Sequence, residues 1–242
     1  MEVHHHTNSP RKKWAHYFWE FLMLFLAVTL GFFVENQREH YIEHKRTREY
    51  AQLMVEDLKS DVKIYDSLIT WIEEHIKSFD TVSGLFRQTP PVSNQRLIKA
   101  VLTQRGTYRV PLLPTTFNQM KSSGTLRYFR DPEISRSISR YYDYWHSVLK
   151  TSLDYNDNFF ESQIQIFMLN HFDYGESSYF GDTLLVSSPT YLERSLKTDI
   201  LLRNRLTLYT SFLKYTVDYL TKPALEKALR LMDLLEKEYH LE

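Results

Sequence analysis

Residues 18–34 read FWEFLMLFLAVTLGFFV, apolar on every helical face, with Glu20 as the one charge. A segment this apolar all round predicts a membrane helix. From Trp14 to Val34 it would span roughly 31 Å at 1.5 Å per residue, enough to cross a hydrocarbon core of about 30 Å. The uncharged part, residues 21–34, is short, which places the Glu20 end at an interface. Trp14, Tyr17 and Trp19 cluster there as an aromatic belt would. At the bilayer centre a carboxylate costs roughly 2.5–3.5 kcal/mol, and near the edge less. Glu20 reads either as a snorkelling interfacial carboxylate or as a contact to a polar group on another membrane helix.

Rival readings are a cleaved signal peptide and the core helix of a soluble protein. The first needs small residues before a cut, and Thr29 and Gly31 are followed by bulky Phe32-Phe33. The second leaves the aromatic belt and the basic flank Arg11-Lys12-Lys13 without a role. A retained signal anchor is the expectation. Basic residues before it and mixed charges after it (Glu35, Arg38, Glu39, Glu43, Lys45, Arg46) orient the N-terminus to the cytoplasm. The expected organisation is a cytoplasmic tail at 1–13, a transmembrane anchor at 14–34 and an extracytoplasmic domain at 35–242, in the inner (cytoplasmic) membrane.

Downstream the pattern changes to one apolar stripe. No proline falls within residues 36–88. Ala51, Val55, Leu58, Val62, Tyr65, Ile69, Ile72, Ile76 and Phe79 recur at spacings of four and three, a heptad seam that packs either within the chain or against a second copy. Gly84 and Pro90-Pro91 end it. Ser93 caps a short helix through Gln104. Residues 106–114, Gly-Thr-Tyr-Arg-Val-Pro-Leu-Leu-Pro, cannot be helical through their prolines. Thr116 to Gln119 reads as a capping box opening a second short helix that Gly124 closes in a left-handed position. Asp131-Pro132 starts a long helix carrying Ile134, Ile138, Tyr141, Trp145 and Leu149 inward, out to His171. Its polar stretch Asn156-Asp157-Asn158 is a point where it would bend. Residues 173–187 read as a loop, and Ser188-Pro189 as the start of a fourth helix bearing Leu192, Leu202, Leu206, Tyr209, Leu213 and Leu220. Thr221 and Pro223 open a last one. The sum predicts an all-α fold: an N-terminal transmembrane helix continuing into an antiparallel helical bundle, with two short inserted helices.

Thirty basic and thirty acidic residues cancel, which argues against a nucleic-acid partner. The absence of cysteine fits an extracytoplasmic domain without disulfides and many cytosolic ones equally.

Glu20, Gly31, Glu35-Asn36, Leu53, Leu58, Asp61, Thr116-Phe117, Lys121-Ser122-Ser123-Gly124-Thr125-Leu126 and Tyr141-Tyr142 follow in order. Together they resemble an uncharacterised family of single-pass membrane proteins common in Bacteroidota. The most specific piece is the Thr-Phe…Lys-Ser-Ser-Gly-x-Leu block. The resemblance implies an inner-membrane protein with a helical periplasmic domain and no known activity.

No catalytic signature stands out. His40-Tyr-Ile-Glu43-His44 matches a zincin pattern literally, but it lies on a charged helix close to the membrane segment and has no third ligand in view. No metal site, cofactor or catalytic residue is assigned. Ser122-Ser123-Gly124 reads as a helix end, or as the polar rim of a groove formed with residues 106–114. That connection is the best site candidate, and the alternative is that Val110, Leu112 and Leu113 plug the bundle end. The expected contact residues are Glu20, Arg109, Val110, Leu112, Leu113, Lys121, Ser122 and Ser123. The expected function is a non-enzymatic membrane-anchored interaction or scaffold protein, with another envelope protein or a second copy as partner. The alternative is a sensory domain that binds a ligand and signals through a membrane partner.

Overall fold

The computed structural model describes residues 10–104, 110–175, 177–180, 183–186 and 190–241, and side chains within 14–104, 110–175 and 190–241. The chain divides into two compact units, Met1–Tyr50 and Ala51–Glu242. Helix α1 (Pro10–Leu85) begins in the first and supplies residues to both.

In the first unit α1 is built from strong helix formers with no interior proline beyond its opening residue. Its most apolar stretch has nothing over it: no residue of that window is buried within the chain. Trp14 is 78% exposed and Phe32 79%. By length and composition this helix can cross a membrane.

In the second unit the same helix carries a single buried stripe: Ala51, Met54, Leu58, Asp61, Tyr65, Leu68, Ile72, Phe79 and Val82. The spacings of three and four are those expected, but the seam lies one residue earlier over its middle. Asp61 and Leu68 occupy the inward positions, and Val62 and Ile69 flank them. A hydrophobicity reading passes over Asp61, because a carboxylate enters a core only where a partner awaits it. The seam packs within the chain, in one core with residues of the later helices.

The second long rod runs without a break through α4 (Pro132–Arg140), a π turn at Tyr141–His146, α5 (Ser147–Phe159), a π turn at Phe160–Gln165 and α6 (Ile166–His171). Asp131 caps it as expected, its carboxylate accepting from the Glu133 N–H at 2.8 Å. The third rod is α7 (Leu196–Tyr215), a π turn at Thr216–Thr221 and α8 (Lys222–Tyr239). Pro223 therefore does not open a new helix. Proline lacks an N–H and crowds the carbonyl one turn back, and the wider π turn just before it relieves both problems. Asn156, within α5, is buried and bonded.

Cross-contacts give the directions. Lys59 meets Glu236 at 3.2 Å, Glu73 meets Lys222 at 3.1 Å and Asp80 meets Lys214 at 3.2 Å, so α7–α8 runs antiparallel to α1. Asp61 meets Tyr141, and Phe79 meets Phe160, so α4–α6 runs the same way as α1. Two rods in the same direction require a connection that returns along the bundle. Its outbound end is held where Arg194 donates to the Val92 carbonyl at 2.6 Å, beside α2 (Asn94–Leu102). Its inbound end is held where the Thr116 N–H, in α3 (Thr115–Ser123), donates to Asp57 at 3.2 Å.

Two expectations of local structure fail. The stretch 173–187 holds paired strands: β1 (Phe172–Asp173) pairs antiparallel with β4 (Thr190–Tyr191), and β2 (Ser177–Phe180) with β3 (Thr183–Val186). Asp173 accepts from the Gly175 N–H at 2.9 Å, and Gly175 takes φ +54°, an Asx turn that starts the excursion. Ser188-Pro189 lies outside the described residues. The helix that follows starts later, behind Ser195, whose hydroxyl accepts from the Thr198 N–H while Thr198 bonds back. Leu192 precedes it and is exposed.

Candidate functional site

The expected contact residues separate into three places. Glu20 is exposed on α1 and lies 3.3 Å from His16, one turn earlier. Val110 and Leu112 line a cleft of about 410 Å³ with Leu153, rimmed by Lys150, Asp154, Asp157 and Asn158 of α5 and by Glu161 of the π turn after it. The connection thus runs beside α5. Leu112 is buried and Leu113 points outward at 69% exposure. Arg109 lies outside the described residues. Lys121, Ser122 and Ser123 are not part of that cleft. Ser122 bonds back to the Asn118 carbonyl at 2.8 Å, Ser123 meets Thr125 at 2.5 Å, and Gly124 takes φ +69°. That is a helix end, where glycine holds the left-handed position without a Cβ penalty. The capping box expected at Thr116 is absent. Pro114 occupies the cap position, Thr116 is buried, and Asp57 from α1 takes its N–H. A side chain distant in sequence does the work of the missing cap.

A buried polar network joins α1 to the second rod. Tyr141 donates to Asp61 at 2.7 Å, and its hydroxyl also meets that of Tyr65 at 2.9 Å. Burial pushes the Asp61 carboxyl up to about 6, opposed by the Tyr141 hydrogen bond and helped by the nearby Asp57 charge. Burial and the same carboxylate push the Tyr65 and Tyr141 hydroxyls up as well, so both stay protonated as donors. Beside them Phe117 stacks on Tyr142 at 4.9 Å, and Lys121 sits over the Phe117 ring while pairing with Asp143 at 3.0 Å. Burial pushes His146 down, with Lys150 adding to the effect, and favours the neutral imidazole. The arrangement can hold α3 against the rods and can exchange a proton at Asp61.

The π turn at Tyr141–His146 explains what pattern reading missed. It adds a residue to one turn, so Tyr142 and His146 face inward along with Tyr141, while Trp145, expected inside, is only half-buried.

A second polar cluster lies farther along. Asn156 donates to the Thr216 hydroxyl at 2.8 Å, and Ser152 meets it at 2.9 Å. Thr221 donates to the Thr216 carbonyl at 3.0 Å. Above this cluster opens an apolar groove of about 730 Å³, walled by Val148, Tyr155, Phe212, Tyr215 and Leu220, with no charged side chain in its lining.

The zincin-like stretch forms no ligand set: Glu43 lies 3.7 Å from His40 on the helix surface, and among the described residues no three acidic or histidine side chains are placed to share a metal ion. No family model, curated protein or solved structure matches this chain.

Proposed function

We propose that this chain is a single-pass membrane protein whose α1 segment at 14–34 is a retained anchor, with the N-terminus in the cytoplasm. Residues 51–242 then act outside the inner membrane as a non-enzymatic interaction module that docks on another envelope protein or a second copy. The anchor reading is supported by an apolar helix left uncovered by its own chain. The resemblance to single-pass envelope proteins points the same way.

One observation carries the interaction reading. The groove between α5 and the third rod is uncharged, and its aromatic walls stay open to solvent, Tyr155 and Tyr215 each at 54% exposure. Apolar surface concentrated in a concavity marks a place where another molecule docks. A partner's apolar helix or side chain fits that lining.

Two measurements test this. Crosslinking of native membranes followed by mass spectrometry should recover a dominant membrane partner or a second copy, and Tyr155→Ser with Tyr215→Ser should abolish that crosslink while leaving helicity unchanged. An unchanged crosslink would remove the groove from the reading. The chain has no cysteine, so Lys197→Cys at an exposed position tests orientation cleanly. Labelling by an impermeant reagent from the cytoplasmic side only would overturn the topology.

A further inference from the structure

The seam between α4 with its following π turn and α8 is a basic cleft. Ser137, Arg140, Tyr141 and Trp145 face it from one rod, and Lys227, Arg230, Leu231 and Leu234 from the other, around about 180 Å³. The positions recur every three or four residues on each helix, so one face of each rod supplies the walls. Tyr141 and Leu231 are buried and form the floor. Three cations and no carboxylate line the cleft, in a chain whose thirty basic and thirty acidic residues cancel.

The pairing of neighbouring cations makes this distinctive. Along the same helices Arg136 pairs with Glu133, Lys150 with Asp154, Lys222 with Glu73 and Asp218, and Lys237 with Asp233. Within the cleft Arg230 pairs with Glu226. Arg140 and Lys227 have no carboxylate within 4.0 Å among the described residues. Two uncommitted cations across a narrow cleft, beside an indole and two leucines, complement an anionic head joined to an apolar body. From this we infer that the cleft binds an organic anion, a phosphate monoester or carboxylate carrying an apolar group. Arg140 and Lys227 grip the anionic head, Ser137 adds a hydroxyl donor, and Trp145 and Leu234 cover the body. This site is separate from the apolar groove and stands whether or not that groove holds a partner.

The test uses the full chain in a non-ionic detergent and calorimetric titration with phenyl phosphate. Saturable binding at one site is expected, with Trp145 fluorescence responding and Trp145→Phe removing the response. Inorganic phosphate should bind more weakly, and phenol should not bind. Arg140→Gln and Lys227→Met should each weaken phenyl phosphate by about tenfold or more, the loss of a charge-assisted contact. Arg136→Gln, one turn away and outside the cleft, should change nothing. Methionine keeps the apolar stem of Lys227, and Arg140 is exposed, so both variants should fold. Short-chain phosphatidate below its micelle concentration separates the sources. Tighter binding than phenyl phosphate identifies a lipid headgroup, and weaker binding identifies a small soluble anion. Either ranking, with the two variants weakened, supports the site. Absence of binding by every probe, or equal loss in Arg136→Gln, overturns it.

Discussion

Two polar clusters interrupt the apolar interior of the helical unit, and each is seated where a π turn begins. One joins Asp61, Tyr65 and Tyr141, the first residue of its turn. The other joins Ser152, Asn156 and Thr216, the first residue of its own. Both tie rods together by side-chain hydrogen bonds. They differ in one property: the first contains a group that ionises and the second does not. A neutral cluster needs only its hydrogen bonds satisfied. An ionisable one must also bear the cost of a charge held away from water whenever the pH exposes it. The contrast predicts that one end of the bundle responds to pH and the other does not.

The largest expected effect breaks the ionisable cluster. Tyr141→Phe leaves a buried carboxylate without its donor and Tyr65 without its partner, and should cost about 3 kcal/mol at neutral pH in chemical denaturation. The loss should shrink under mildly acid conditions, where Asp61 is neutral. An equal loss at both pH values would mean that Tyr141 acts by packing alone.

The pH response itself comes next. The folded state holds the Asp61 proton up to about 6, against an ordinary value of 3.8. Within that window the folded chain keeps a proton that the unfolded chain has released. Stability is therefore greater below the window and falls as pH rises through it, by about 3 kcal/mol at most from this group. Asp61→Asn should flatten the stability profile between those values. Hydrogen exchange of α1 and α4 amides across the same range would locate the effect.

Smaller and pH-independent changes are expected at the neutral cluster. Asn156→Ala removes the Thr216 contact but leaves Ser152 as a partner, and should cost about 1–2 kcal/mol at any pH. Ser152→Ala is milder still, about 0.5–1 kcal/mol, because Ser152 is only half-buried and Asn156 still satisfies Thr216. A clear pH dependence in either variant would erase the distinction between the clusters.

Much of the local architecture was legible in the residues. Ser93 and Asp131 mark helix starts, Gly124 closes α3, and the stripe from Ala51 to Phe79 announces an inward face. The candidate site was legible only in pieces. Asp61, Thr116-Phe117 and Tyr141-Tyr142 could each be picked out one by one. Nothing in their order said that Tyr141 reaches Asp61, that Asp57 replaces the missing cap at Thr116, or that Phe117 lies on Tyr142. Those contacts span large sequence separations, and helical periodicity carries no information about which faces meet.

What the sequence by itself determined are the properties that depend on a helix alone: an apolar stretch at 14–34, uncharged over 21–34 and fit for a membrane, an amphipathic stripe from 51 onward, and ends marked by capping residues and glycine. Backbone hydrogen bonding and side-chain solvation are settled within a turn or two of each residue, so they can be read locally. Only the tertiary structure decided the inward shift of the seam to Asp61, the π turns that carry Tyr142 and His146 into the core and Pro223 through a continuous rod, and the strand pairs at 172–191. It also decided the path of residues 110–114 beside α5 and the placing of Arg140 and Lys227 along one cleft. Each depends on what another part of the chain offers: a hydroxyl for a buried carboxylate, a carboxylate for an uncapped helix, a facing helix that turns two separate cations into one site.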